Sequence, residues 1–170
     1  MTDNIYAPPS SELQTESNDQ TIELAKRSTR FFSALIDGVI GIVFALPFIM
    51  LAGPTLGYEF GQQHQPGTQY MAVSAIYGFI VFSLVHGYLL HVGGQTIGKK
   101  ALGIKIVSTS HENVPVFKIL GLRYLPISLV SIIPIIGQIL PLVDILFIFR
   151  SDRRCIHDLI AGTCVIKCKS

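Results

Sequence analysis

Residues 26–52 read KRSTRFFSALIDGVIGIVFALPFIMLA: a basic cluster, then a long apolar run broken by one carboxylate. About 20 apolar residues in a helix cross the ~30 Å of hydrocarbon in a bilayer. Residues 31–52 therefore predict a spanning helix, and Lys26, Arg27 and Arg30 hold its start on the cytosolic side. No Lys or Arg occurs from Phe31 to Gly98; all 13 lie elsewhere. Inside that basic-free stretch, residues 53–69 are polar and rich in turn signals (Gly53-Pro54, Gly57, Gly61, Pro66-Gly67). They carry Glu59 and His64 but no basic residue and are expected outside. Residues 71–91 then return as a second span.

The rest of the composition agrees with this threading. Charged residues make up 14% of the 170-residue chain, against about 25% in a typical soluble domain. The net charge of +2 is small and its basic residues cluster at helix edges, so they read as topology. The bilayer is the expected partner and nucleic acid is not; no protein partner can be named. Residues 1–25 are polar and acidic, with Pro8-Pro9, and predict a disordered cytosolic tail. They lack the basic start and apolar core of a cleavable signal peptide. Cys155, Cys164 and Cys168 all fall on the cytosolic side, where reduced thiols are the default.

Residues 118–149 are mostly apolar but basic at both ends: Lys118 and Arg123 before, Arg150, Arg153 and Arg154 after. Both ends then belong inside, which requires an even number of crossings. Ile133-Pro134-Ile135-Ile136-Gly137 is the natural break. Each arm has about 15 residues, roughly 22 Å of helix, short for a full span. A thin, tilted or partly re-entrant hairpin is expected, the alternative being one tilted helix. Between the second span and this hairpin, Thr96 to Leu102 predicts a short interfacial helix and Gly103 to Val107 a strand. Thr163 to Lys167 predicts a second strand that could pair with the first. The fold class is thus an all-α membrane protein with two full transmembrane helices, a short helical hairpin and a small cytosolic β element. The spans are 31–52, 71–91, 118–132 and 138–149, in a membrane domain of residues 26–170. The chain is expected in the plasma (inner) membrane as a multi-pass protein with both termini cytosolic.

Asp37 is the sharpest functional candidate. It lies seven residues beyond Arg30, about 10 Å along the helix. A carboxylate at that depth is costly and normally faces protein or water. Arg30 and Asp37 share a face, beside small residues at Ala34, Gly38, Gly41 and Ala45 that let helices approach closely. That face should meet the bundle, with Arg30 or Arg123 as the partner of Asp37. His86, Arg123 and Asp144 fall at a similar depth, so Arg30, Asp37, His86, Arg123 and Asp144 are the intramembrane polar candidates. Asp37 reads either as a proton or cation site or as a buried pair that orients helices. Gly93 to Lys100 almost spells a phosphate-binding loop, but Lys100 replaces the hydroxyl residue and a membrane helix precedes it. An interfacial turn is expected there. Cys155, His157, Cys164 and Cys168 match no structural zinc spacing. No metal, cofactor or catalytic arrangement is expected, and the chain does not read as an enzyme. Asp158, outside the bilayer, is expected to anchor the cytosolic element by accepting backbone N–H groups or pairing with Lys99 or Lys100.

These pieces occur in the order of a known family. The chain resembles the RDD family of small membrane proteins through Arg30 with Ile36-Asp37-Gly38, Gly94-Gln95-Thr96-Ile97-Gly98-Lys99, Gly103-Ile104-Lys105-Ile106-Val107, Leu122-Arg123, and His157-Asp158-Leu159-Ile160-Ala161-Gly162-Thr163. The resemblance implies that Arg30 opens the first helix, that Asp37 is the first of two Asp, and that Asp158 matches the second better than Asp144. It also implies a structural motif at Gly98, Lys99, His157, Asp158, Gly162 and Thr163. Transport, including cation/proton exchange, has been proposed within the family. Two functions follow as expectations: a small transporter or transporter subunit centred on Asp37, which would need a homo-oligomer to enclose a path, or a membrane scaffold with no flux.

Overall fold

The computed structural model describes residues 23–58, 61, 66–133 and 135–168. The expected tail lies almost wholly outside these residues, as do Glu59, His64 and Pro134. Two long helices dominate, α1 (Arg27–Ala52) and α2 (Thr68–Gly93). Each has 26 residues, about 39 Å of rise. Both are long and apolar enough to cross a membrane. The apolar faces stay outward: Leu51 is 79% exposed and Leu84 77%. In water such faces would be aggregation patches; in lipid they are the proper surface, since hydrocarbon matches them.

α2 ends at Gly94, which is left-handed (φ 62°). A Cβ there would lie 2.6 Å from the Ile106 carbonyl, so both conformation and contact demand glycine. The chain then forms α3 (Ile97–Ala101) and β1 (Ile104–Ser108), and β1 pairs antiparallel with β2 (Thr163–Lys167), with Ile106 opposite Val165. The expected short helix and both expected strands are present, and the strands do pair. Leu24 bridges to Ile166 on the other edge of β2, tying the entry to α1 onto the ribbon.

The described residues between 116 and 149 form two helical arms, the first ending at Val130 and the second starting at Ile136. The first is α4 (Val116–Lys118), a π-helical stretch (Ile119–Tyr124) and α5 (Leu125–Val130). The second is α6 (Ile136–Leu146) with a 3₁₀ turn to Phe149. A Cβ on Gly137 would lie 2.5 Å from the Ser131 carbonyl, so glycine permits the arms to meet closely at the break. α7 (Ile156–Ala161) follows and leads into β2.

The apolar core sits at one end of the molecule, the end that carries the basic residues. Leu90, Ile104, Ile106, Val114, Ile119 and Val165 are buried together there. At the far end, aromatic contacts link α1 to α2: Phe48 stacks on Tyr77 at 4.4 Å, and the Tyr77 hydroxyl donates to the Phe44 carbonyl at 3.0 Å. The stripe of small residues departs from expectation. Ala34, Gly38 and Gly41 are exposed, and among the described residues nothing lies within 4 Å of a Cβ built on either glycine. α1 does not pack tightly along this stripe because its close contact is with α3, through Ser33 and Asp37.

Candidate functional site

The five intramembrane candidates separate into two clusters at the basic end. The first is built around Asp158, which has no exposed surface. Arg30 from α1 and Arg123 from the π-helical stretch each donate to one of its carboxylate oxygens. The Cys155 N–H donates to Asp158 at 3.2 Å, completing a capping box at the start of α7. The Thr163 hydroxyl accepts from Arg123 at 2.8 Å and donates to Asp158 at 3.1 Å. Asp158 thus joins α1, the hairpin, α7 and β2. Burial alone would raise its carboxyl; the guanidiniums of Arg123 and Arg30 override this and hold it well below the usual carboxylate range.

The Asp144 carboxylate adjoins this cluster. It accepts the His157 N–H at 3.1 Å and contacts the His157 Nδ1 at 2.5 Å. Burial, then the charge of Arg123, pushes the His157 ring below its ordinary pKa, outweighing the pull of Asp144. With His157 neutral, two guanidiniums balance two carboxylates. Arg123 Nε is a buried side-chain nitrogen with no acceptor among the described residues. The π-helix shifts which residues face inward, and here it presents Arg123 to Asp158.

The second cluster lies around Asp37. Its carboxylate accepts the Thr96 hydroxyl at 2.5 Å and the Gly98 N–H at 2.8 Å. The Ile97 N–H reaches His86 Nδ1 at 3.3 Å, and the Lys99 N–H reaches the Thr96 hydroxyl at 3.3 Å. Three N–H groups that start α3 are therefore satisfied by side chains from α1, α2 and the cap residue. Gly98 is held so closely that a Cβ would lie 2.2 Å from the Ser33 carbonyl. Lys99 Nζ stands 3.9 Å from Asp37. Asp37 and His86 also close the basic end of a crevice of about 260 Å³ between α1 and α2, walled by Phe44, Phe48, Tyr77 and Phe82.

Several expectations are corrected. Asp37 pairs with neither Arg30 nor Arg123; both guanidiniums go to Asp158. The separation along α1 explains this. A helical side chain leans toward its own N-terminus, so the Arg30 guanidinium reaches away from Asp37 and onto the Arg153 carbonyl and Asp158. Of the two kinds of partner expected for Asp158, the backbone N–H is present, from Cys155, and Lys99 or Lys100 is not; the carboxylate is fully buried although placed outside the apolar runs. Lys99 belongs to Asp37 instead. Thr96 was missed, although a Thr directly before Ile97-Gly98-Lys99 is an N-cap signal.

Asp144, Cys155 and His157 place one donor atom each within 4.8 Å of one another. The donor chemistry does not suit a cation. Burial pushes the Cys155 thiol up to about 11, which disfavours the thiolate that a metal would take. Arg30 lies 3.6 Å from its sulfur, and the His157 ring is already engaged by Asp144. The Gly93 to Lys100 segment likewise forms an interhelical turn, with the Gly98 N–H committed to Asp37.

Comparison with known proteins agrees with this architecture. The chain is 31% identical over 147 residues to an uncharacterized protein of Haemophilus influenzae (strain ATCC 51907 / DSM 11121 / KW20 / Rd), covering 84% of this chain and 78% of that one. It is 29% identical over 148 residues to the uncharacterized protein YxaI of Bacillus subtilis (strain 168), covering 81% and 93%. No solved structure matches. The RDD family model matches residues 24–162. That range runs from the strand-bridging Leu24 to the glycine after α7 and takes in both Asp clusters: the chain belongs to the RDD family.

Proposed function

We propose that this protein is a small membrane transporter or transporter subunit that moves a cation or proton, with the α1–α2 crevice as part of the path. The observation that carries this reading is the position of Asp37. It keeps 15% of its side chain accessible while Asp158 has none, and it borders a crevice that runs between the two longest helices. A carboxylate at such a depth is a default candidate for an ion or proton pathway. His86 lies beside it on the crevice wall. In this reading the Arg30–Asp158–Arg123 cluster is architecture. The basic end faces the cytosol, both termini lie there, and the protein sits in the plasma (inner) membrane. Two long helices and two short arms enclose little space, so the working unit is a homo-oligomer.

A second reading, a membrane scaffold or assembly protein without flux, is favoured by one observation. Asp158, Asp144 and Asp37 all have partners, as structural carboxylates do. Proteoliposomes with purified protein decide between them. Under an imposed sodium, potassium or proton gradient, the transport reading expects flux above empty liposomes. Asp37→Asn should abolish it while the protein remains folded by circular dichroism. Wild-type flux equal to that of empty liposomes for all three ions would leave the scaffold reading standing.

A further inference from the structure

Asp37 holds its ionic partner more loosely than Asp158 does. Arg30 and Arg123 both donate directly to Asp158, and all three are buried. Lys99 Nζ stands 3.9 Å from Asp37 and 3.5 Å from the Thr96 hydroxyl. The first distance is beyond hydrogen-bond reach and the second is at its limit. The ammonium is therefore held mainly by charge. Its anchoring is separate from the rest of the site, because the Gly98 N–H and Thr96 hydroxyl hold the carboxylate whether or not Lys99 is there. The Lys99 main chain is fixed in the first turn of α3, and its stem is flexible.

We propose that Lys99 is a tethered cation that occupies the Asp37 carboxylate when the crevice is empty, and that a monovalent cation entering the crevice displaces it. This rests on the transport reading above and adds to it the charge class of the ion and a return mechanism. The charge class follows from the exchange. One positive charge leaves the carboxylate and one arrives, so the partly buried site stays neutral at every stage. A divalent ion would leave an uncompensated positive charge there, which is costly away from water. The atoms beside the vacated position suit a hard cation: the Asp37 carboxylate and the Thr96 hydroxyl are both oxygen. When the ion departs, Lys99 returns. The carboxylate at the basic end of the apolar crevice is then never left bare when no ion is bound.

The test uses purified full-length protein and two neutral variants, Lys99→Gln and Lys99→Met, so that one folding failure does not end it. Thermal unfolding in detergent is followed against sodium, potassium or lithium chloride, with choline chloride holding ionic strength constant. Removing the competing ammonium should lower the cation concentration for half-maximal stabilisation by roughly tenfold or more. Lys99→Arg and Lys100→Gln should stay near wild type, and Asp37→Asn should remove the dependence. In proteoliposomes, Lys99→Gln should keep ion-for-ion exchange and lose most net flux. Equal or weaker cation affinity in both neutral variants, or affinity that survives Asp37→Asn, overturns the proposal. If wild type shows no flux while Lys99→Gln still binds cations more tightly, transport fails and the competition at Asp37 stands.

Discussion

Replacing Asp158 by Asn keeps the shape of the side chain and removes its charge. Two guanidiniums, Arg30 and Arg123, would then share a buried space with a neutral amide. Asn also brings an NH2 donor toward groups that are themselves donors, and the Cys155 N–H and Thr163 hydroxyl lose a charged acceptor. Breaking one side of a buried ion pair costs about 3–5 kcal/mol in soluble proteins. By soluble-domain scaling for this length, each kcal/mol is about 2–4 °C in Tm, so the expected fall is roughly 6–20 °C in detergent. The double variant Asp158→Asn/Arg123→Met removes one of the stranded cations as well. It should be more stable than the sum of its single variants, because the repulsion disappears. Proteolysis should sharpen the point: in Asp158→Asn, cleavage after residue 150 should accelerate while α1 and α2 stay intact. A Tm change under about 2 °C, or strictly additive variants, would refute the claim that Asp158 is the joint of the structure.

Gly98→Ala would push a methyl into the Ser33 carbonyl and part α3 from α1, at the ~1–3 kcal/mol typical of overpacking; limited trypsin digestion should then cut faster at Lys99 and Lys100, and wild-type kinetics would show that the contact yields freely. Stability should fall with pH in two stages. His157 has a lowered pKa in the folded state, so the unfolded chain takes up its proton first, near the ordinary value of about 6.5, and stability is lost as pH drops below it. Asp158, also lowered, adds a second loss below about pH 4 by the same logic. His157→Gln should flatten the first stage in a detergent thermal-shift series, and wild-type stability that rises from pH 7 to 5.5 would mean that folded His157 gains a proton instead.

Much of the architecture was readable because it rests on periodic or compositional signals. The run without Lys or Arg between Phe31 and Gly98 located α1 and α2, and the β-branched stretches at 104–107 and 163–167 located a ribbon whose pairing follows from unsatisfied backbone groups. The order of the polar residues along each helix was also readable, since it follows from counting. Their partners were not. Depth says which residues share a level, while pairing depends on which way each side chain leans and which loop folds back over it. Arg30 and Asp37 share a helix face yet serve different clusters. Thr96, in a turn that resembles a phosphate loop, supplies the hydroxyl that meets Asp37. Asp158 accepts a backbone N–H as its place before a turn suggests, but its full burial and its two arginine partners were not legible, because they depend on how β2, α7 and two helices fold over it.

The arginine that opens α1 is separated from its carboxylate by 128 residues. A ribosome makes Arg30 and Arg123 well before it makes Asp158. Throughout that interval, both guanidiniums lack the carboxylate to which they finally donate. Closure of the basic end is therefore a late step in biogenesis, taken when α7 and β2 fold back under the helices. A chain that stops short of residue 158 would carry two α-helical segments able to enter a bilayer but no means of seating their arginines. The same carboxylate that joins four elements in the finished protein thus distinguishes a complete chain from a truncated one, and a membrane protease that samples loosely held helix ends would read that difference.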